Sequence, residues 1–240
     1  LLEKLLRRKL RGRKMAYRLF STDNADYVLQ LSTHEARNTQ VSIFEGIDSM
    51  IIETSGYKLG DYLFGGDDPQ YQMPLDFCKN NQVPVFGTDV DVSNLLFSVL
   101  TEVVGSPIYL PLVYFSLSKS PINNTISQLV SSYSLLTQTS LIEARNATNA
   151  RNIEEFVVPR VREISGKEKP KIGMVYGAGH MGLEHNLKSK KRRDFTIWNY
   201  RNFNFRKYSG LDREKLNQVD EANFDGESWQ VTEHPTYLFD

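Results

Sequence analysis

The 240-residue sequence contains a single cysteine, Cys78. One thiol excludes an internal disulfide framework and leaves the redox compartment open. Cys78 follows Phe77, and we expect its side chain to pack as a small apolar group; a catalytic thiol is the less favoured alternative.

Long hydrophobic runs are also missing. A membrane-spanning helix needs ~20 consecutive apolar residues, and the longest apolar stretch, Leu95–Leu117, is interrupted by Glu102, Gly105, Pro107 and Pro111. We therefore expect no transmembrane span in this chain, and a location that is either cytoplasmic or membrane-associated.

Neither sign of charge is in excess, because 29 Lys and Arg balance 29 Asp and Glu. A neutral chain lacks a general attraction for nucleic acid, so we expect no nucleic-acid partner. Basic residues cluster locally in Lys188–Arg193, which could contact phosphate or a membrane surface but is more typical of a solvated helix end. Aromatic residues alternate with arginines over Trp198–Tyr208, as on some nucleic-acid-binding surfaces, but the neutral overall charge favours an ordinary packed strand and loop.

Hydrophobic residues make up 40% of the chain, enough for a real core. Strand-like and helix-like segments alternate, which predicts an α/β fold with a mainly parallel central sheet, helices on both faces and a helical insertion over about 92–165. The predicted strands are Tyr17–Phe20, Tyr27–Leu31, Met50–Glu53, Val83–Phe86, Ile172–Tyr176 and Phe195–Trp198. The predicted helices include Arg37–Gly46, Met73–Asn81 and one from about Met181, and Thr54–Gln72 is expected to be a loop.

We divide the chain into three parts. Residues 1–14 carry leucines at helical spacing with basic residues between them, which predicts an amphipathic helix that docks on the body or contacts a membrane surface. Residues 15–200 form the α/β domain. Residues 201–240 show no clear period and are expected to be a C-terminal extension.

Four polar residues follow the ends of predicted strands: His34, Glu53, Asp89 and His180. If these strands are parallel, all four lie at the carboxyl edge of the sheet, where open α/β sheets bind ligands. Two histidines and two carboxylates could bind a metal or act as acid–base pairs without one. Each also has a structural explanation, since Asp89 could cap a helix and His180 could hydrogen-bond near a helix start.

The segment Lys171–Gly182 has a second interpretation. Gly177, Gly179 and Gly182 spell the G-x-G-x-x-G dinucleotide-binding pattern. That pattern needs an acidic residue after the next strand, and Asp194 precedes the predicted strand instead. The histidine interpretation is therefore favoured.

These residues resemble the TraB/PrgY–Tiki superfamily, which is related to the ChaN-like and erythromycin-esterase-like proteins. The resemblance covers about Tyr27 to Tyr200. Its members carry two GxxH motifs, and the first departs from the pattern here because Leu31 stands where the family has glycine. The matching segments are Leu31-Ser32-Thr33-His34, Met50-Ile51-Ile52-Glu53, Val83–Asp91, the helix with Arg151 and Gly177-Ala178-Gly179-His180.

The resemblance implies a metal-dependent hydrolase that acts on a peptide or a small ester or amide. His34 and His180 would bind a divalent metal, with Glu53 as a further ligand or general base. Arg151 would orient a carboxylate or stabilise an oxyanion. Glu35 is an alternative base or an acidic residue at a helix start. The alternative function is a non-catalytic module that binds a peptide or sequesters a signal, which Leu31 favours slightly.

Overall fold

The structure is a computed structural model, and it describes residues 17–32, 41–54, 59–64, 69–88, 142–143, 145–204 and 218–235. The first half contains strands β1 to β4 and two helices. Their bounds are β1 Tyr17–Ser21, β2 Asp26–Ser32, a 3-10 turn Val41–Phe44, β3 Ser49–Ile52, α1 Leu59–Phe64, α2 Pro69–Asn81 and β4 Val85–Gly87.

The second half begins with a long helical region. Helix α3 covers residues 145–152 and continues through a π-helical turn, Ile153–Val157, into α4, Val158–Ser165. The remaining elements are β5 Lys171–Gly177, a 3-10 turn Ala178–His180, α5 Leu183–Lys188, α6 Lys190–Asn204, β6 Gln218–Phe224 and β7 Trp229–Pro235.

All seven described strands form one sheet in the order β1-β2-β5-β3-β4-β6-β7. The central strands β2, β5, β3 and β4 are parallel. β1 pairs antiparallel with β2, and the hairpin β6–β7 pairs antiparallel with β4. The expectation of a mixed α/β fold with a mainly parallel centre is confirmed.

Side chains of the central strands alternate between two hydrophobic clusters, as the period of two in a strand requires. Leu29, Ile51 and Met174 belong to one cluster, together with residues of the π-helical turn, α4 and α5. Val28, Met50 and Val175 belong to the other, together with residues of the 3-10 turn 41–44, α1 and α2. The parallel strands are therefore apolar on both sides, which explains why their sequences read as continuous hydrophobic runs.

Gly173, in the middle of β5, shows how closely the second cluster packs. A Cβ atom added there would lie 2.9 Å from side-chain carbons of Phe44 and Ile47. A larger residue would therefore push the 3-10 turn 41–44 away from the sheet.

Two predictions of secondary structure are wrong, and the helix predicted over Arg37–Gly46 is only a 3-10 turn, Val41–Phe44, within the described residues 41–46. Phe195–Trp198 was expected to be a strand, but it lies inside helix α6. A short apolar run cannot be assigned to strand or helix from its periodicity alone. Here Ser189 favours the helix, because its hydroxyl caps the helix start by accepting a hydrogen bond from the Arg192 backbone N–H at 3.3 Å. The segment expected to be a loop, Thr54–Gln72, contains α1 and the start of α2.

The hairpin β6–β7 was not anticipated, since the region after Tyr200 gave no clear period. Asp225 makes its turn, accepting hydrogen bonds from the backbone N–H groups of Glu227 and Ser228. Residues 1–14 and most of the segment 92–165, up to residue 141, lie outside the described residues. Among the residues described, no helix is both long enough and apolar enough to cross a bilayer.

Candidate functional site

The carboxyl ends of the four parallel strands bring three polar residues to one edge of the sheet. Glu53 directly follows β3, Thr88 directly follows β4, and His180 ends the 3-10 turn after β5. The backbone N–H of Glu53 donates to the Val175 carbonyl at 3.0 Å, so the parallel pairing of β3 with β5 extends to Glu53 itself. This pairing fixes where the carboxylate lies.

Both oxygens of Glu53 accept hydrogen bonds, although the residue is only 5% exposed. Oε2 accepts from the Gly177 backbone N–H at 2.5 Å. Oε1 lies 3.0 Å from Nη2 of Arg145 and 3.0 Å from Nε2 of His180. Burial by itself raises the pKa of Glu53, but the hydrogen bonds and charges of His180, Gly177 and Arg145 outweigh it and lower the pKa to about 2. Glu53 is therefore a carboxylate at neutral pH.

His180 is held from both sides of its ring and is 2% exposed. Nδ1 lies 2.7 Å from Oδ1 of Asn146, and Nε2 faces Glu53. These two contacts hold the imidazole ring in one orientation, with Nε2 directed at Oε1 of Glu53. The ring of Tyr176 packs against the imidazole, with centroids 5.1 Å apart.

Helix α3 supplies the partners of both residues from one polar face. Asn146, Asn149 and Asn152 are buried there at a spacing of three residues. Such burial is costly unless the amides are hydrogen-bonded. Thr88 forms hydrogen bonds with Asn149 and Asn152. Its hydroxyl donates to Oδ1 of Asn149 at 3.2 Å, and its carbonyl accepts from Nδ2 of Asn152 at 3.1 Å.

Tyr176 extends this network back towards the histidine. Its hydroxyl lies 2.7 Å from Oγ1 of Thr88. Because the Thr88 hydroxyl donates its hydrogen to Asn149, Tyr176 donates to Thr88. The polar groups of α3, β4 and β5 are therefore one connected set beside His180.

Gly177 at the end of β5 and Gly182 in the loop that follows both lie close to polar groups of the site. The backbone N–H of Gly177 is bound to Glu53. A Cβ atom on Gly182 would collide with Oε1 of Glu143 and lie 2.9 Å from Nδ2 of Asn146. The loop can approach α3 only because this position has no side chain.

The dinucleotide interpretation also lacks its structural context. A dinucleotide site needs the glycine loop between a strand and a helix that leads to the next parallel strand. Within residues 171–204, β5 is followed by α5 and α6 and by no second strand.

No family model, curated protein or solved structure matches this chain. The site is therefore interpreted from its own geometry.

The structure brings together two of the residues singled out in the sequence, Glu53 and His180. His34, Glu35 and Asp89 lie outside the described residues. Arg151 lies on α3 and is partly exposed, and Arg145, six residues earlier on the same helix, contacts Glu53.

Sequence reasoning missed Arg145 and Asn146. The available signal was the spacing of asparagines at positions 146, 149 and 152. They alternate with Ala147, Ala150 and Ile153, which are small or apolar and buried. Polar residues at intervals of three share one helix face, and a buried face of amides needs polar partners.

Glu53 and His180 fit two positions in the coordination sphere of a divalent metal. Their facing atoms, Oε1 and Nε2, are 3.0 Å apart. Two ligands bound at about 2.1 Å and at near right angles to each other have about this separation. The contact of Nδ1 with Asn146 resembles the supporting hydrogen bond that the second ring nitrogen of a metal-binding histidine usually makes. Within the described residues, no three His, Cys, Asp or Glu side chains form a group that could hold a metal.

Proposed function

We propose that this chain is a metal-dependent hydrolase of the TraB/PrgY–Tiki type that cleaves a peptide or a small ester or amide bond. His180 and Glu53 would bind the divalent ion together with His34. The observation that carries the proposal is the 3.0 Å approach of His180 Nε2 to Glu53 Oε1, with Nδ1 of the same ring anchored by Asn146. A buried histidine whose other ring nitrogen is anchored in this way keeps a fixed orientation towards its neighbouring ligand.

A bound divalent ion would supply a hydroxide nucleophile near neutral pH and polarise the substrate carbonyl. The protein's own groups prepare the site. Asn146 fixes the ring orientation of His180. Arg145 and the Gly177 N–H hold Glu53 ionised, so that it can act as a ligand or accept a proton.

The two arginines of α3 have separate roles in this proposal. Arg145 neutralises Glu53 and is nearly buried, with 11% of its side chain exposed. Arg151 lies six residues further along and is partly exposed. We assign to it the orientation of a substrate carboxylate or the stabilisation of an oxyanion, and Glu35 is kept as an alternative general base.

The test is metal content measured by elemental analysis after dialysis against each of Zn²⁺, Mn²⁺ and Co²⁺. The wild-type protein should retain about one ion per chain, and His180→Ala should lose it, since the loss of one ligand or its support typically reduces affinity about 10- to 100-fold or more. His185→Ala is the matched control, because His185 is exposed on α5 five residues away. If the wild-type protein retains no metal and none of the three ions changes its melting temperature, the metal-dependent mechanism is wrong.

Catalysis is tested separately from binding. We expect cleavage of a broad peptide and ester library by the metal-loaded protein and its loss in Glu53→Gln. Turnover that is unchanged in Glu53→Gln would remove Glu53 from the reaction while leaving metal binding to be judged on the first experiment.

A second candidate function is a non-catalytic module that binds a peptide or sequesters a signal. It is favoured by the full set of hydrogen bonds on Glu53, because a carboxylate already engaged at both oxygens can be purely structural. This function predicts no turnover with any library member and nearly unchanged ligand affinity in Glu53→Gln.

The same proposal includes the finer features of the fold. We propose that helices cover both faces of the sheet and that residues 92–165 form a helical insertion. The two hydrophobic clusters, each containing residues from strands and from helices, support the first part. Contact of residues 1–14 with a membrane surface remains part of the proposal, with a cytoplasmic or membrane-associated location.

A further inference from the structure

Helix α6, Lys190–Asn204, has its polarity reversed over the residues whose side chains are described. Its buried side contains Arg193, which is 4% exposed, whereas Phe195 and Trp198 are 62% and 56% exposed. Surface helices normally direct aromatic residues to the core and charges to water. The exposed aromatic pair opposite a buried arginine makes the outer face of α6 a candidate contact surface.

The outer face combines the aromatic pair with basic residues. Lys191, Phe195 and Trp198 are spaced four and three residues apart, so they share one side of the helix. The two rings stack on each other, with centroids 6.2 Å apart and planes 26° apart. Lys190 and Arg192, both exposed, flank Lys191 at the first turn, where the helix dipole is also positive. We call Lys190, Lys191, Phe195 and Trp198 the α6 surface.

We propose that the α6 surface binds the headgroup region of a bilayer that contains anionic lipid. Tryptophan and phenylalanine insert at the boundary between headgroups and acyl chains, while lysines at the edge of the same face attract anionic headgroups. The basic first turn and the aromatic pair one to two turns later supply both parts.

A single-stranded nucleic acid is the competing occupant, since it also binds basic and aromatic surfaces. The bilayer is favoured because the rings of Phe195 and Trp198 face each other, which reduces the ring area open to a stacked base.

The test is co-sedimentation of the full chain with vesicles of phosphatidylcholine alone or with about a third phosphatidylserine, at low and high salt. We expect binding to the anionic vesicles that is at least about 10-fold stronger than to the neutral ones and weaker in high salt. Phe195→Ser/Trp198→Ser should reduce binding about 10-fold or more, and Lys190→Gln/Lys191→Gln should reduce the dependence on salt.

Leu19→Ser is the matched control, because Leu19 is about as exposed as Phe195 but belongs to β1 and not to α6. It should bind as the wild type does. Residues 1–14 are unchanged in every variant, so binding retained by Phe195→Ser/Trp198→Ser would assign the contact to another segment and overturn the proposal.

Fluorescence provides a readout that does not depend on sedimentation. Trp198 and Trp229 are the two tryptophans of the chain, so Trp229→Phe leaves Trp198 as the only reporter. Its emission should shift to the blue with anionic vesicles and be quenched by brominated acyl chains. An unchanged emission spectrum, or binding of an unstructured oligonucleotide with no binding of vesicles, would show that the proposal is wrong.

Discussion

Glu53 is the residue on which β3, the loop after β5 and helix α3 converge, through hydrogen bonds from Gly177, His180 and Arg145. Replacing one member of a buried charge network leaves the remaining charged and polar groups without a hydrogen-bond or ion-pair partner. We expect Glu53→Gln to lower the free energy of unfolding by about 2–4 kcal/mol. The NH2 group of the new glutamine would face one of the three groups that now donate to the carboxylate, and that hydrogen bond would be lost.

Urea denaturation at pH 7 measures this effect. Glu163→Gln is the control, since that carboxylate is largely exposed and pairs with Arg160 on its own helix. Its effect should be within about 0.5 kcal/mol. Equal losses in the two variants would show that the network around Glu53 adds no stability.

Gly182 provides a second test at the scale of single residues. A methyl group there meets the carboxylate of Glu143 and the amide of Asn146, the residue that holds His180. We expect Gly182→Ala to cost about 1–3 kcal/mol in the free energy of unfolding and to weaken metal binding.

Gly179→Ala is the control within the same loop, because its Cβ would make only an ordinary contact with Ile142 at 3.7 Å. Thermal unfolding and metal titration compare the two variants. A Gly182→Ala protein with wild-type stability and metal affinity would show that the loop does not need its close approach to α3.

At the scale of elements, the hairpin β6–β7 is tied to helix α4 by one carboxylate. Glu221 on β6 is buried and accepts from Nε and Nη2 of Arg160 at 2.9 and 3.2 Å. Burial raises the pKa of Glu221, but the hydrogen bonds from Arg160 and Asn223 and the charge of Arg160 lower it overall. Stability from this group is therefore present above the ordinary carboxyl pKa and is lost as the pH falls through the lowered value.

We expect Glu221→Gln to be less stable than the wild type at pH 7, and the difference to shrink as the pH falls below about 4.5. The difference should be only about 1 kcal/mol, because Arg160 is almost half exposed and water screens the pair. Urea denaturation from pH 7 to pH 3 measures it. His234 lies 3.4 Å from the same carboxylate, so the series is repeated in a His234→Gln background; a difference that does not change with pH would contradict the assignment.

Elements differed in how well the sequence predicted them. Strands β1 to β5 were anticipated because each is a short apolar run between turn-forming residues. Helix α6 was not, because Phe195–Trp198 has the composition of a strand, and its helical start depends on the Ser189 cap. Strand β6 was missed because its buried residues include Asp220 and Glu221, whose burial depends on partners far away in the sequence.

At the scale of the whole molecule, the sheet should be most stable at its centre. β5 pairs with β2 on one side and β3 on the other, and its residues from Ile172 to Gly177 are buried. Among the described strands, β1 and β7 lie at the two ends of the order, and Tyr17 and Leu19 on β1 are exposed. Backbone N–H groups exchange with solvent through local openings, which are less costly at such ends.

Hydrogen exchange followed by mass spectrometry should therefore show the slowest exchange in β5, β2 and β3 and faster exchange in β1 and β7. Peptides from β7 that exchange as slowly as those from β5 would show that the hairpin is part of the most stable unit. They would also indicate that the ion pair between Arg160 and Glu221 contributes more to the stability of the hairpin than the exposure of Arg160 suggests.

The sequence by itself determined that the chain forms an α/β sheet with a mainly parallel centre, and it placed Glu53 and His180 at the same edge of that sheet. Both follow from local pattern, because apolar runs specify strands and parallel strands end on one side. Only the tertiary structure decided that Arg145 and Asn146 are the partners of these residues and that β6 completes the sheet beside β4. The physical reason is that a buried charge or amide pairs with whichever group the fold brings within hydrogen-bonding distance. The separation of two residues along the chain does not give their distance in space.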